Sequence, residues 1–257
     1  MFILEVFLSI IILILAIPLA AFLLFILNPE LWIFDFIYPQ RKSIKMSNTL
    51  VLLRHGQSQW NLENKFTGFH DVDLSGKGIE EARQAGEQIK QAGITFDQVF
   101  TSTLTRANRT AKLALEAAGQ SDLIDTMTFH DDLRERDYGD LTGLNKDETR
   151  AKYGDEQVHI WRRSYDTRPP GGECLQDVVE NRVRPYYEAN IKPLLDDGKN
   201  ILIAAHGNSL RAMLIILGVE TPDSINNAEI PTGQPLVFEL DNGEIKARYF
   251  LSEKEVA

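Results

Sequence analysis

Two short apolar runs constrain this chain more than anything else in it. "NTLVLL" at 48–53 and "NILIAA" at 200–205 are bounded by polar residues. Apolar on consecutive positions, each reads as a strand buried on both faces of a parallel sheet. Both runs then break on a histidine followed by glycine, "RHG" at 54–56 and "HGN" at 206–208. In open α/β sheets ligands bind beyond the carboxyl ends of the strands. Arg54, His55 and His206 are therefore candidates for a site.

The rest of the body alternates between strand and helix signals. "LSGKGIEEARQAGEQIKQAG" places Ile79, Ala82, Gly86 and Ile89 on one helical face, with Ser75 as N-cap. "DQVFTS" at 97–102 is strand-like, and 106–118 reads as a helix with Ala107, Ala111, Ala114 and Ala118 in register. A further strand is predicted around 124–129. Residues 139–172 are polar and broken by Gly and Pro, with helical pieces near 146–153 and 156–164. A long helix bent near Pro185 is predicted over 173–195, another helix over 208–217, and closing strands over 236–240 and 245–250. The alternation predicts an α/β fold with a mostly parallel sheet.

Residues 6–27 stand apart. They read "VFLSIIILILAIPLAAFLLFIL", apolar but for Ser9, and reach the length of about 20 that spans a bilayer as a helix. No basic segment precedes them, which argues against a cleaved signal peptide. Arg41, Lys42 and Lys45 follow, so the body would face the cytoplasm. The alternative starts from Met46, directly ahead of "SNTLVLLRHG". On that reading 1–45 is upstream sequence read from a wrong start codon. The expectation is an apolar segment over 1–45, with an N-terminal helix anchoring the protein to a membrane if it is expressed. Residues 46–257 would form a cytoplasmic catalytic domain.

The net charge is −10 over 257 residues, and 1–45 contain as many bases as acids. The acidic body argues against nucleic acid as a partner, and an anion site must build its own local positive field. Cys174 is the only cysteine, which excludes an intrachain disulfide and a Cys-rich zinc site.

Between the two histidines lies "TSTLTRA" at 101–107. Arg54 and Arg106 would bring two guanidiniums beside two imidazoles, and such planar forks match phosphate oxygens. Neighbouring cations disfavour protonation, so His55 would stay a neutral nucleophile toward phosphorus near pH 7. His206 and Arg106 would stabilise charge on the transferring oxygens. Positioning and charge compensation are most of what phosphoryl transfer asks. No HExxH or other compact metal motif appears, and the basic cluster makes a metal unnecessary.

These residues resemble the histidine phosphatase superfamily, and within it the phosphoglycerate mutases that depend on 2,3-bisphosphoglycerate. "RHGQSQWN" (54–61), "FTGFHDVDLSGKG" (66–78), "LRERDYGDLTGLNK" (133–146), "YGDEQVHIWRRSYDTRPPGGE" (153–173), "AAHGNSLRA" (204–212) and "EIPTGQPLVFEL" follow that family's blocks in order. The resemblance runs from about 49 to 250 and implies a three-layer α/β sandwich. It implies interconversion of 2- and 3-phosphoglycerate, with 2,3-bisphosphoglycerate as phosphoryl primer and no metal, in a homo-oligomer. His55 would be phosphorylated and Glu135 would exchange protons with the substrate hydroxyls. Gly56, Gln57, Ser58, Gln59, Trp60, Asn61, Thr67, Gly68, Arg136, Asp137, Tyr138, Lys146, Arg162, Arg163, Gly207 and Asn208 fall on substrate-binding blocks. Lys146 and "WRR" would supply cations for the glycerate carboxylate and the second phosphate.

Two departures stand out. Asp137 occupies a position where many members have histidine, and an insertion of some twenty residues between "TRPP" and "GGE" in longer members is missing, which implies a shorter lid. Two rival readings remain: a phosphatase using the same His55 on a small phosphorylated metabolite, and a membrane-tethered scaffold on an inactive enzyme fold. Some residues have blander readings. Adjacent Arg162 and Arg163 face different ways on a helix, so one could be surface charge. His70, Asp71 and Asp73 read better as a polar turn than as a metal site, His130 and His159 as surface residues, and Cys174 as structural. Gly76 and Gly78 lack the context of a dinucleotide fingerprint.

Overall fold

The computed structural model of the protein describes residues 47–253. The apolar helix expected at 6–27 lies outside them. Among the described residues no helix is long and apolar enough to cross a membrane.

Six strands form one sheet in the order β3-β2-β4-β1-β5-β6. They are β1 (Ser47–Arg54), β2 (Gln98–Ser102), β3 (Thr128–His130), β4 (Ile201–Ala205), β5 (Pro235–Asp241) and β6 (Glu244–Phe250). β1, β4, β2 and β3 run parallel, while β5 lies antiparallel to β1 and β6 antiparallel to β5. The last two strands form a hairpin whose Asn242 and Gly243 both take positive φ, 51° and 79°. That is the pairing a two-residue hairpin turn of matching twist requires.

The helices are α1 (Gln59–Leu62), α2 (Gly76–Gln91), α3 (Thr105–Ala118), α4 (Lys146–Tyr153) and α5 (Asp155–Arg163). Then follow α6 (Leu175–Val178), α7 (Arg184–Tyr186), α8 (Lys192–Asp196) and α9 (Gly207–Ile216). Ser75 caps α2, its Oγ accepting from Gly78 N at 3.1 Å. Alternate strand residues serve opposite faces of the sheet. Val51, Leu53, Leu202 and Ala204 pack with Ala85, Ile89, Ala111, Ala114 and Leu115 of α2 and α3. Leu50, Leu52, Ile201 and Ile203 pack with Val178, Val183, Ile191, Leu195, Leu210 and Met213 on the other side. Covering both faces is why the two central runs are apolar throughout.

Two details differ from the sequence expectation. The strand expected at 124–129 is a 3-10 turn (Ser121–Thr126) followed by the three-residue β3. Backbone pairing of β2 with β3 starts only at Phe100, and ahead of it the Gln98 side chain donates to Thr126 O and Thr128 Oγ1 instead. The helix expected over 173–195 is interrupted by two π segments, Val179–Val183 and Tyr187–Ile191. Pro185 and Pro193 sit at the start of the α-helical pieces that follow each one. A proline lacks the N–H and crowds the carbonyl four residues back, and the wider π turn relieves that clash.

Candidate active site

The strand register brings the two histidines together. Arg54 is paired with Ala205 across β1 and β4, and His55 N donates to Ala205 O at 3.0 Å. The next residue on each strand is therefore a histidine at the same sheet edge. Their ring centroids are 5.0 Å apart with planes at 62°. Both are buried, His206 completely.

The loop leaving His55 is held tightly. Gly56 N donates to Thr110 Oγ1 at 3.1 Å, and that hydroxyl donates to Arg106 O at 2.7 Å. One buried threonine thus sets both the loop beside His55 and the turn of α3 that carries Arg106. Gly56 and Gly78 lie backbone to backbone. A Cβ at Gly56 would fall 2.2 Å from Gly78 O, and one at Gly78 would fall 2.0 Å from Gln57 O. "SGKG" is glycine-rich to let this loop press on the first turn of α2.

His55 Nδ1 lies 2.7 Å from Gly56 O. A carbonyl only accepts, so Nδ1 carries the proton and Nε2 keeps its lone pair. Burial, then Arg106 and Arg54, hold the imidazole well below its ordinary 6.5. Burial and Arg106, with His55 itself and Arg54 adding to them, do the same to His206. Neither ring nitrogen of His206 has a hydrogen-bond partner.

A cleft opens against His55. It is lined by Arg54, Arg106, Lys65, Lys146, Arg162, Arg163 and Arg211, with Glu135 and Glu229 as its acids. Arg106 donates to His70 O and Gly68 O, each at 2.9 Å, and Arg54 donates to Ile230 O at 2.9 Å. Their Nε atoms, and that of Arg211, have no partner. Burial lowers Arg106 to about 10, opposed by Glu135 and Asp71, so it stays cationic at neutral pH. Burial, then Arg162 and Arg54, bring Lys146 down to about 8. Buried donors without acceptors, gathered on cations, fit a ligand carrying several anionic groups.

Glu135 reaches the cleft from an irregular loop. Its Oε1 accepts from Arg136 N at 2.8 Å and Asn208 N at 3.0 Å, the latter in the first turn of α9. Tyr138 receives a bond from Asn208 Nδ2 at 3.3 Å. Burial pushes its phenol up, but Arg136 and Arg162 outweigh that and leave it lowered.

Of the residues singled out in the sequence, His55, Arg54, Arg106, Glu135, Asn61, Thr67, Gly68, Tyr138, Lys146, Arg162, Arg163, Gly207 and Asn208 line this cleft. His206 abuts His55 from behind it. The others serve the frame. Ser58 caps α1 in a reciprocal pair with Asn61. Gln57 N donates to Glu81 at 2.7 Å, and Gln59 donates to Leu74 O at 3.3 Å. Trp60 stacks on His70, with centroids 4.2 Å apart. Arg136 is fully buried over the Tyr138 ring and donates to Trp161 O and Arg162 O. Asp137 Oδ1 accepts from Gly139 N at 2.9 Å, a turn-closing role that does not need a histidine. Asp71 accepts from the N and Oγ1 of Thr105 at the start of α3, and Asp73 pairs with Arg109. His130 is half-buried against Tyr186, and His159 is exposed.

Residues 50–251 match the histidine phosphatase superfamily (branch 1). The chain is 53% identical over 211 residues to the 2,3-bisphosphoglycerate-dependent phosphoglycerate mutase of Beijerinckia indica subsp. indica, covering 82% of this chain and 98% of that one. It is 55% identical over 212 residues to the protein of the same name from Methylobacterium sp. (strain 4-46), again covering 82% and 98%. The chain belongs to the 2,3-bisphosphoglycerate-dependent phosphoglycerate mutase family. A solved phosphoglycerate mutase from Bacillus anthracis shares the fold with a TM-score of 0.62 at 22% identity, over 80% of this chain and 93% of that one.

Lys65, Thr110, Arg182 and Arg211 escaped the sequence reading. Arg211 lines the cleft, donates to Asn208 Oδ1 at 3.0 Å and is 4% exposed. An arginine on a helix reads as surface charge, and only the packing of α9 turns this one inward.

Proposed function

We propose that the chain interconverts 2-phosphoglycerate and 3-phosphoglycerate through a phosphohistidine at His55. The observation that carries this is the committed tautomer of His55. Its Nδ1–H is tied to Gly56 O, leaving a neutral Nε2 in a cleft lined mainly by cations. The curated relatives of 50–55% identity carry the mutase name, which favours this reading over a phosphatase.

The donor set of the cleft fits 2,3-bisphosphoglycerate, with Arg54 and Arg106 at one phosphate and Lys146, Arg162 and Arg163 at the carboxylate and the other. That group supplies the phosphoryl that primes His55. When His55 Nε2 attacks phosphorus, the N–P bond forms as the P–O bond breaks. Glu135 gives its proton to the departing hydroxyl oxygen. In the return step Glu135 takes the proton of the accepting hydroxyl as that oxygen attacks the phosphohistidine. Arg54 and Arg106 face the oxygens of the transferring group, each such donor contributing about 3 kcal/mol in the transition state, while His206 backs the His55 ring.

The test is a coupled assay from 3-phosphoglycerate with and without 2,3-bisphosphoglycerate. We expect primer-dependent 2-phosphoglycerate formation that survives a chelator, and an acid-labile phosphoryl label on His55 that a His55→Asn variant lacks. Inorganic phosphate appearing faster than 2-phosphoglycerate would sink the mutase reading.

A further inference from the structure

We propose that Arg182 and Glu173 form a positioning pair that fixes the Glu135 loop for proton transfer. Glu135 sits between two short 3-10 turns (Asp131–Leu133 and Gly139–Leu141), so no regular element holds it. Arg182 comes from the first π segment after α6. Its Nη1 donates to Asp132 O and Arg134 O and its Nη2 to Glu135 O, each at 3.3 Å. Glu173 receives Arg182 in a two-pronged bond, Nε at 3.0 Å and Nη2 at 2.7 Å. The same Glu173 Oε2 accepts from Asp137 N at 2.9 Å, and Glu173 N donates to Asp137 O at 3.0 Å. The pair therefore grips the backbone on both sides of Glu135.

Neither side chain lines the cleft. Their contacts reach the reaction through where they hold Glu135, and the Arg182 charge adds only the last and smallest contribution to keeping His206 neutral. A paired Arg and Glu bring no net charge to the loop, unlike a lone cation, so the grip is geometric. The guanidinium also lies 5.4 Å from the Phe69 ring, next to the cleft-lining Gly68. Bidentate Arg–carboxylate pairs fix orientation as well as energy. A displacement of about 1 Å at a reacting group costs on the order of a hundredfold in rate.

This inference rests on Glu135 as the proton carrier, and its test separates steps that need a proton from one that does not. Acetyl phosphate can phosphorylate His55 without a general acid. The Nε2–P bond forms, the P–O bond breaks, and acetate leaves with the electron pair unprotonated. In Arg182→Gln and Glu173→Gln we expect mutase kcat to fall about 10- to 100-fold. KM should change little, and the initial rate of His55 phosphorylation by acetyl phosphate should stay within about twofold. Arg182→Lys, which keeps the charge but not the fork, should recover part of kcat. Should Arg182→Gln not fold, Glu173→Gln and Arg182→Lys give the same comparison. If both reactions fall together, the pair only supports the fold and the proposal is overturned; unchanged mutase kcat overturns it as well. Absence of mutase turnover in the wild type would instead remove the functional reading itself.

Discussion

His55 and His206 are buried beside Arg106 and Arg54, and that has a thermodynamic consequence beyond nucleophilicity. Both are held neutral in the fold at a pH where an unfolded histidine, with a pKa of about 6.5, takes up a proton. The unfolded state therefore binds more protons below that value, so stability falls as pH drops from about 6.5 toward the folded pKa values. Each proton taken up on unfolding contributes about 1.4 kcal/mol per pH unit across that window. Melting temperature measured from pH 8 to 5.5 should be flat above 7 and fall below 6.5. In His206→Gln, which cannot take up that proton in either state, the fall should be about half as steep. An equal slope in wild type and variant would show that these rings are not the groups responsible.

At the scale of elements, the contact between the His55 loop and α2 separates two glycines that look alike in "SGKG". Gly78 meets Gln57 O where a Cβ would lie at 2.0 Å, whereas nothing lies within 4 Å of a Cβ on Gly76. Gly78→Ala forces the loop off α2, and overpacking of this kind costs about 1–3 kcal/mol. The same shift moves His55, so kcat should fall with the melting temperature. Gly76→Ala occupies open space at the first turn of a helix and restricts only the unfolded chain, so it should stabilise by about 0.4–1 kcal/mol. Denaturant titration of both variants checks the opposite signs. The π segment before Pro185 is another elemental feature tied to the proposed positioning pair, because Arg182 sits in it. The turn that accommodates a proline also aims the arginine at the Glu135 loop.

Over the whole molecule, an acidic body of net charge −10 surrounds a cleft rich in guanidiniums. Such like charges repel when the cleft holds no anion, so filling it should stabilise the fold. A ligand present at one hundred times its dissociation constant adds about 2.7 kcal/mol. Inorganic phosphate or vanadate should therefore raise the melting temperature of the wild type measurably. An Arg106→Met variant should lose most of that rise at the same ligand concentration. A rise that persists in the variant would place the anion elsewhere.

The sequence by itself determined the two buried strands, because a run of apolar residues ended by a histidine is a local pattern with one physical reading. It also determined α2 and α3, whose apolar and small residues repeat at helical spacing, and the cap at Ser75. Glu135 and the Lys146–Arg163 arm were legible through family motifs rather than through any periodicity. Only the tertiary structure decided that β1 and β4 are neighbours in register, which is a pairing between residues about 150 positions apart and has no local signature. It also decided which arginines turn inward. Arg182 and Arg211 sit on helical segments where a cation reads as solvated, and their work appears only when another segment's carbonyls or carboxylates arrive beside them; Thr110 lies on the alanine face of α3, where its hydroxyl has a role only once the His55 loop packs against it.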